Sequence, residues 1–423
     1  MIEPRHNWAG NYTFNATRFH YPKTIEQVQE LVSQAKKVRV LGSGHSFNGI
    51  ADTSEDLISI QNLEQELAID PERHTATVSG GVRYGQICEQ LQAAGYALHN
   101  LASLPHITIA GACATATHGS GYKNGNLATA VAALELIRAD GEIVVLSRDQ
   151  NSDQFPGAVV GLGGLGVVTK VTLKLVPAFK MRQVVYENLP LDKMEAHFDE
   201  IMSSAYSVSL FTDWHDELIQ QVWVKQRVAE GEESFELAPE LFGATPATTP
   251  LHPIRNISPV ACTPQQGITG PWYARLPHFR LDFTPSSGEE LQSEYLIPRE
   301  SALAALRIVV GLRQQIAPLL QVSEVRSIAA DDLWMSPCYQ QACIGLHFTW
   351  KKDWVAVRQL LPLLEEQLEP LKAIPHWGKL FTMPPARVQA LYPKLADFRR
   401  LLSSFDPQGK FRNAFLDTYI FAE

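Results

Sequence analysis

The 423 residues are 45% hydrophobic, too many for one compact core and enough for two domains of ordinary size with a sizeable internal ligand site. A formal charge of −9, with no Lys/Arg run to override it, argues against nucleic acid and anionic membrane surfaces as partners. Cys88, Cys113, Cys262, Cys338 and Cys343 are odd in number, widely spaced and without a CxxC pair, so reduced thiols are expected and no metal site.

The amino-terminal stretch up to Trp8 is polar and lacks the hydrophobic run of a signal peptide or anchor, so a soluble, cytoplasmic protein is expected. Thr24 with Gln27 makes a capping box, and Ile25, Val28, Leu31, Val32 and Ala35 share one helical face, which predicts a helix from Thr24. The β-branched stretch from Val38 to Leu41 predicts a strand running into the tight loop Gly42-Ser43-Gly44. A strand at Thr75 to Val78 ends in Gly80-Gly81, and a short helix from Tyr84 to Leu91 stops near Gly95. From Leu101 to Gly121 the residues are mostly Ala, Gly, Ser and Thr, too small to build a core and tolerant of close backbone approach, so something large is expected to lie against them.

Strands at Ala132 to Arg138 and Glu142 to Leu146 flank Asp140-Gly141, a two-residue hairpin signal. The alternating run from Val167 to Val176 follows, and Pro177 closes the first domain. The second domain, from about Phe179 to Arg400, shows strand-like runs, a proline-rich stretch from Thr245 to Pro277, and helical runs at Ser301 to Ile316 and Trp354 to Leu371. The turn-rich tail from Phe405 to Asn413 is a candidate to return to the first domain, which periodicity alone leaves open.

Gly42-Ser43-Gly44-His45-Ser46 follows a strand, so its backbone N–H groups suit an anion-binding nest for a diphosphate, although an ordinary turn has the same composition. Gly161 to Gly166 matches GxGxxG, the nicotinamide-dinucleotide fingerprint, but its context is wrong. The third glycine should open a helix, whereas Gly166 opens a β-branched alternating strand, and no acidic ribose partner lies at the expected distance.

Taken together, Gly42 to Asn48, the run from Ala102 to Gly121, and Gly163 to Thr169 resemble the vanillyl-alcohol-oxidase type of FAD-binding domain. Within that superfamily the chain resembles alditol (xylitol) oxidases along essentially its whole length, including the closing Phe405 to Asn413 element. The resemblance implies a two-domain α+β fold of the PCMH type: an FAD-binding domain at residues 1–178, a substrate-binding cap on a mixed or antiparallel sheet at 179–400, and a segment 401–423 returning to the first domain. It implies that Gly42, Ser43, Gly44 and Ser46 hold the diphosphate and that His45 carries the flavin covalently. An imidazole nitrogen, neutral near its ordinary pKa of about 6.5, is a competent nucleophile for such a bond. Ser103, Thr108, Gly111, Ala112, Thr115, Thr117 and Val167 match positions lining FAD, whereas His106 and His118 are read as satisfying backbone groups. Asn48-Gly49 departs from the family pattern, where an acidic residue follows the asparagine, which bears only on local loop geometry.

Glu324 and Arg326, and likewise His347 and Thr349, are two apart on short strands and so share a face. With Lys379 of His376-Trp377-Gly378-Lys379 they match the active-site motifs of alditol oxidases in order and spacing. The residue types suit alcohol oxidation: His347 as base, Arg326 and Lys379 against developing negative charge, and Glu324 with Ser103 and Thr349 binding vicinal hydroxyls. Without the resemblance, Glu324 and Arg326 would read as a surface ion pair. Trp334, Trp350 and Trp377 are either pocket walls or packing residues. The expected activity is oxidation of the terminal alcohol of an alditol such as xylitol or sorbitol, with FAD as cofactor, molecular oxygen as acceptor and a monomeric enzyme. The alternatives are an aldonolactone oxidase or dehydrogenase, which shares the His-Trp-x-Lys element, and a flavin- or carbohydrate-binding protein without turnover.

Overall fold

Val167, Thr169, Val171 and Leu173 alternate with Val168, Lys170, Thr172 and Lys174, and this period of two makes Val167–Lys174 the central strand of a five-stranded antiparallel sheet. Across that sheet the strands run Leu67–Asp70, Thr75–Ser79, Val167–Lys174, Val131–Ile137, Ile143–Ser147 in this computed structural model, which describes residues 5–229, 231, 236–283 and 289–422. The first four residues of the polar amino-terminal stretch lie outside that description. Gly166 opens the central strand, as its sequence context requires, at φ 147°, where a Cβ would stand 2.2 Å from the Ile137 carbonyl oxygen. The Asp140-Gly141 hairpin is closed by the Arg138 N–H donating to Glu142 O at 2.9 Å. Three residues lie between these partners and only Gly141 is left-handed, so the loop is a three-residue one with glycine at its last position.

Beside this sheet lies a small parallel one, Arg18–His20, Asp56–Ile58 and Val38–Val40. Its crossover helix Ile25–Gln34 is capped by Thr24, whose hydroxyl accepts from the Gln27 N–H, while the Gln27 side chain accepts from the Lys23 N–H. The helix buries Val28 and Val32 against Val38, Ile58, Ile137, Val167 and Phe411. Phe411 brings the tail into that core: the Val38 N–H donates to Lys410 O, and Asn413 Nδ2 reaches the carbonyls of Gly49, Ile50 and Asp52. Lys410, Phe411 and Asn413 of the tail thus contact the small parallel sheet and the segment that follows the His45 loop.

The later strands form one nine-stranded sheet with Ser207–Thr212, Leu320–Ile328, Cys343–Lys351 and Glu290–Pro298 adjacent and antiparallel. Cys343–Lys351 is buried through all but its last residue, and the two faces differ in kind. Ile344, Leu346, Phe348 and Trp350 point one way and join the apolar core with Ala305, Leu306, Leu361 and Leu364 of the helices Ala302–Gly311 and Trp354–Leu368. Gly345, His347 and Thr349 take the opposite face. The expected helix from Ser301 to Ile316 is broken after Gly311 into Ala302–Gly311 and Arg313–Ile316. The later run is helical over Trp354–Leu368 and tightens into a 3₁₀ turn at Glu369–Leu371.

Candidate active site

Between the two halves lies a cavity of ≈ 640 Å³, within the range of cofactor and ligand pockets. One wall is built from the amino-terminal loops. Gly42, Ser43, Gly44, His45 and Ser46 line it, as do Ser103, Thr108, Gly111, Ala112, Thr115 and Thr117 from the small-residue run, whose helix is the short Ile109–Ala114. The two runs touch: the Thr108 N–H donates to Ser43 Oγ at 3.4 Å, and a Cβ on Gly42 would stand 2.3 Å from Thr108 Oγ1. Gly44 holds φ 69°, so the loop turns in a conformation that favours glycine. Val167 does not join them; its side chain lies in the core against Val28 and Ile137, and Leu162 and Gly163, just before it in the chain, line the cavity instead. The residue directly after a strand-opening glycine points into the sheet's core, which the motif alone did not disclose.

His45 sits within this wall with both ring nitrogens buried and without hydrogen-bond partners, its ring stacked on Trp8 at 5.0 Å. Burial first, and the nearby Lys379 cation second, push its pKa down to about 4, so the ring is neutral with a free lone pair. An orphaned buried imidazole is costly unless a ligand meets it, and the glycine loop, the small-sided run and the cavity together fit an FAD-sized group beside it. The departure at Gly49 also has a cause: a Cβ there would stand 2.6 Å from the Tyr12 hydroxyl, which donates to Asp52 at 2.7 Å.

The opposite wall is the polar face of the large sheet. Register places Glu324, His347 and Glu294 in one row across three strands, with Gln292 level with Thr349 on the next. Arg326 donates to Glu294 Oε1 at 2.8 Å and to Ser103 Oγ at 3.4 Å, while its Nε lies 3.5 Å from Glu324 Oε2. Glu324 is held by His278 Nε2 at 2.8 Å. His347 Nε2 lies 3.2 Å from Thr349 Oγ1 and its Nδ1 lies 3.4 Å from Glu294 Oε2. Lys379 hydrogen-bonds Gln292 Oε1 and lies 4.9 Å above the Phe47 ring. It is fixed to the His45 loop by Asn48 Nδ2, which donates to the carbonyls of Trp377 and Lys379 at 2.9 and 2.8 Å.

Charges in this wall are set by burial against neighbours. Burial alone would raise Glu294 and Glu324, but Arg326, with His118 and His347 around the first and His278 beside the second, holds both well below the usual carboxylate range. Burial lowers His347 while Glu294 opposes that, leaving a neutral imidazole at pH 7. Burial brings Lys379 down to about 8 and His376 down to about 3. His118, Glu294 and His376 bring donor atoms within 4.8 Å of one another, yet Glu294 already accepts from a guanidinium, so the trio does not suit a metal cation.

The structure thus gathers Ser103, Glu324, Arg326, His347, Thr349 and Lys379 in the cavity with His45. The preferred partner of Arg326 is Glu294 rather than Glu324, which the spacing of two had suggested. Glu294, Gln292 and His278 escaped the sequence reading because each comes from a segment with no motif, although Gln292 and Glu294 carry the same spacing-of-two signal. His106 donates toward Leu281 O at 3.1 Å and His118 Nδ1 toward Gly119 O at 3.0 Å, so both satisfy backbone groups, and His118 also lines the cavity with its Nε2 beside Glu294. Trp334, Trp350 and Trp377 are packing residues outside the lining: Trp350 stacks on Phe348, Trp377 on Tyr392, and Trp334 presses against Gly157.

Comparison with known proteins gives the family and the fold. Residues 16–147 match the FAD binding domain family, and residues 288–419 match the D-arabinono-1,4-lactone oxidase family. The chain is 47% identical to an alditol oxidase from Streptomyces sp. over 97% of each chain. It is 27% identical to the L-gulonolactone oxidase of Mus musculus over 97% of each, and 28% identical to an L-gulono-1,4-lactone dehydrogenase of Mycobacterium tuberculosis over 96% of each. In fold it is similar to cholesterol oxidase from B. sterolicum, with a TM-score of 0.79 at 14% identity, covering 99% of this chain and 96% of that one. No helix among the described residues is long and apolar enough to cross a membrane.

Proposed function

The chain belongs to the alditol oxidase family of FAD-dependent oxidases, and on that premise we propose that it oxidises the terminal alcohol of alditols such as xylitol or sorbitol through the six side chains gathered in one cavity with His45. The product is the aldose, and molecular oxygen is reduced to hydrogen peroxide. Residues 1–178 hold the cofactor, 179–400 cover it, and 401–423 return to the first part. The enzyme acts as a cytoplasmic monomer. The observation that carries the reading is a neutral imidazole and two cations in one cavity with a buried, partnerless His45.

Bound FAD supplies the hydride acceptor, tethered through His45; everything else falls to the protein. Glu324 accepts from hydroxyls along the polyol, and Ser103 and Thr349 add neutral partners. Several such bonds orient the reacting carbon, and a monoalcohol would leave buried groups unpaired. His347 takes the proton from the terminal hydroxyl as the C–H bond breaks, while Arg326 and Lys379 stabilise the oxygen as it becomes negative. The sheet's apolar face and the helices behind it keep these side chains fixed, so little reorganisation is needed at the moment of reaction.

Anaerobic mixing with xylitol tests the reading: the flavin absorbance should bleach, and peroxide should appear when air is admitted. Bleaching by sugar lactones alone would instead favour the aldonolactone reading, which the match of residues 288–419 keeps in view. Silence with both would leave a binding protein. The tether is tested separately, since acid-precipitated protein should stay yellow and the His45→Ala pellet should be colourless.

A further inference from the structure

Glu294 belongs to no motif, yet it is 2% exposed and stands level with His347 on the adjoining strand. Its two oxygens are divided: Oε1 takes the Arg326 guanidinium at 2.8 Å and faces His118 Nε2 at 3.3 Å, and Oε2 faces His347 Nδ1 at 3.4 Å. Space for the carboxylate exists because residue 345 is glycine; a Cβ there would stand 3.1 Å from Glu294 Oε1 and 3.2 Å from His118 Cε1. The backbone of Glu294 is pinned as well, its carbonyl accepting from the His376 N–H at 2.9 Å.

A carboxylate accepts and cannot donate, so its charge favours the tautomer with the proton on the ring nitrogen that faces it. In a neutral imidazole the other nitrogen is then the lone pair. For His347 that leaves Nε2, 3.2 Å from Thr349 Oγ1 and on the side where a hydroxyl of the substrate can replace or join the threonine. We infer that Glu294 is a positioning residue that fixes the tautomer of His347, making Nε2 the atom that accepts the substrate proton, while its other oxygen fixes the Arg326 guanidinium. At 3.4 Å and outside hydrogen-bond geometry, Nδ1 and Glu294 Oε2 face each other without yet being bonded, as catalytic contacts often are before substrate is in place. The same carboxylate stabilises the imidazolium formed when the proton arrives, opposing in part the burial and the Lys379 and Arg326 cations that keep the resting ring neutral. Glu324, beside His347 on the other strand, is taken up by His278 and Arg326, and His376 spends Nδ1 on the Gly378 N–H, so neither does this work.

The inference rests on His347 being the base, so the two are tested in separate arms on the FAD-loaded enzyme. Glu294→Gln should slow anaerobic flavin reduction by on the order of 10²-fold, with the larger part of the loss in the rate rather than in polyol affinity. The acid limb of its pH profile should move to lower pH, and Glu294→Asp should recover part of the rate. His347→Gln should lose the acid limb altogether. If His347→Gln keeps the wild-type profile, the base assignment is wrong, and the role of Glu294 falls with it. If His347→Gln loses the limb but Glu294→Gln keeps wild-type rate and limb, the base stands and the inference about Glu294 is overturned. Should Glu294→Gln fail to fold or load flavin, ring-¹⁵N-histidine labelling of the wild-type protein decides, with His347 identified by its loss in His347→Gln: Nδ1–H is expected, and Nε2–H at neutral pH overturns the inference.

Discussion

Lys379 offers the sharpest test of the electrostatics proposed for the site. Its ammonium sits among Gln292, Phe47 and the Arg326 cation, with Glu294, Glu290 and Glu324 as counter-charges, and burial dominates to bring the pKa down to about 8 from 10.5. At pH 7 about nine in ten molecules then carry the cation, and at pH 9 only about one in ten. If the cation stabilises the developing alkoxide, the rate of anaerobic flavin reduction by xylitol should fall about tenfold per pH unit above pH 8. Lys379→Met should remove that alkaline limb and lower the rate at pH 7 by about 10²–10³-fold, the size expected for losing one preorganised charge at a developing oxyanion. Lys379→Arg should recover part of the rate and show no alkaline limb, because a guanidinium stays charged. Stopped-flow spectroscopy of the flavin across pH 5 to about 10 measures all three. A wild-type rate that stays flat through pH 9, or a Lys379→Met rate within about twofold of wild type, would refute the reasoning.

Glu324→Gln should weaken polyol binding by about 10–100-fold, since His278 and Arg326 lose their shared charge and the polyol an acceptor; steady-state kinetics across alditols of increasing length will read it as a rise in KM. Phe411→Ala should cost about 3–5 kcal/mol of stability by opening a cavity beneath the helix Ile25–Gln34, measurable by urea denaturation of the apoprotein. Asn413→Ala removes a side chain serving the carbonyls of Gly49, Ile50 and Asp52, at about 1–3 kcal/mol. Because those residues follow the His45 loop, the fraction of flavin retained after acid precipitation should fall as well.

Local chemistry made much of this protein legible from its residues alone. The cap at Thr24, the strand opened by Gly166 and the hairpin glycine Gly141 follow from backbone sterics that any chain must obey. The small-sided run and the glycine loop announced a large neighbour because residues without bulk are of use only where something else fills the space, and the spacing of two brought Glu324 to one face with Arg326, and His347 with Thr349. What the sequence could not disclose was which strand lies beside which. Only the order of the large sheet puts Glu294 level with His347 and gives Arg326 its better partner, and only the fold of the proline-rich stretch brings His278 onto Glu324. Only the turn held by Asn48 sets Lys379 beside the loop of His45, more than three hundred residues earlier in the chain. Partnerships of this kind depend on register between distant segments, and one chain read in order carries no distance between them.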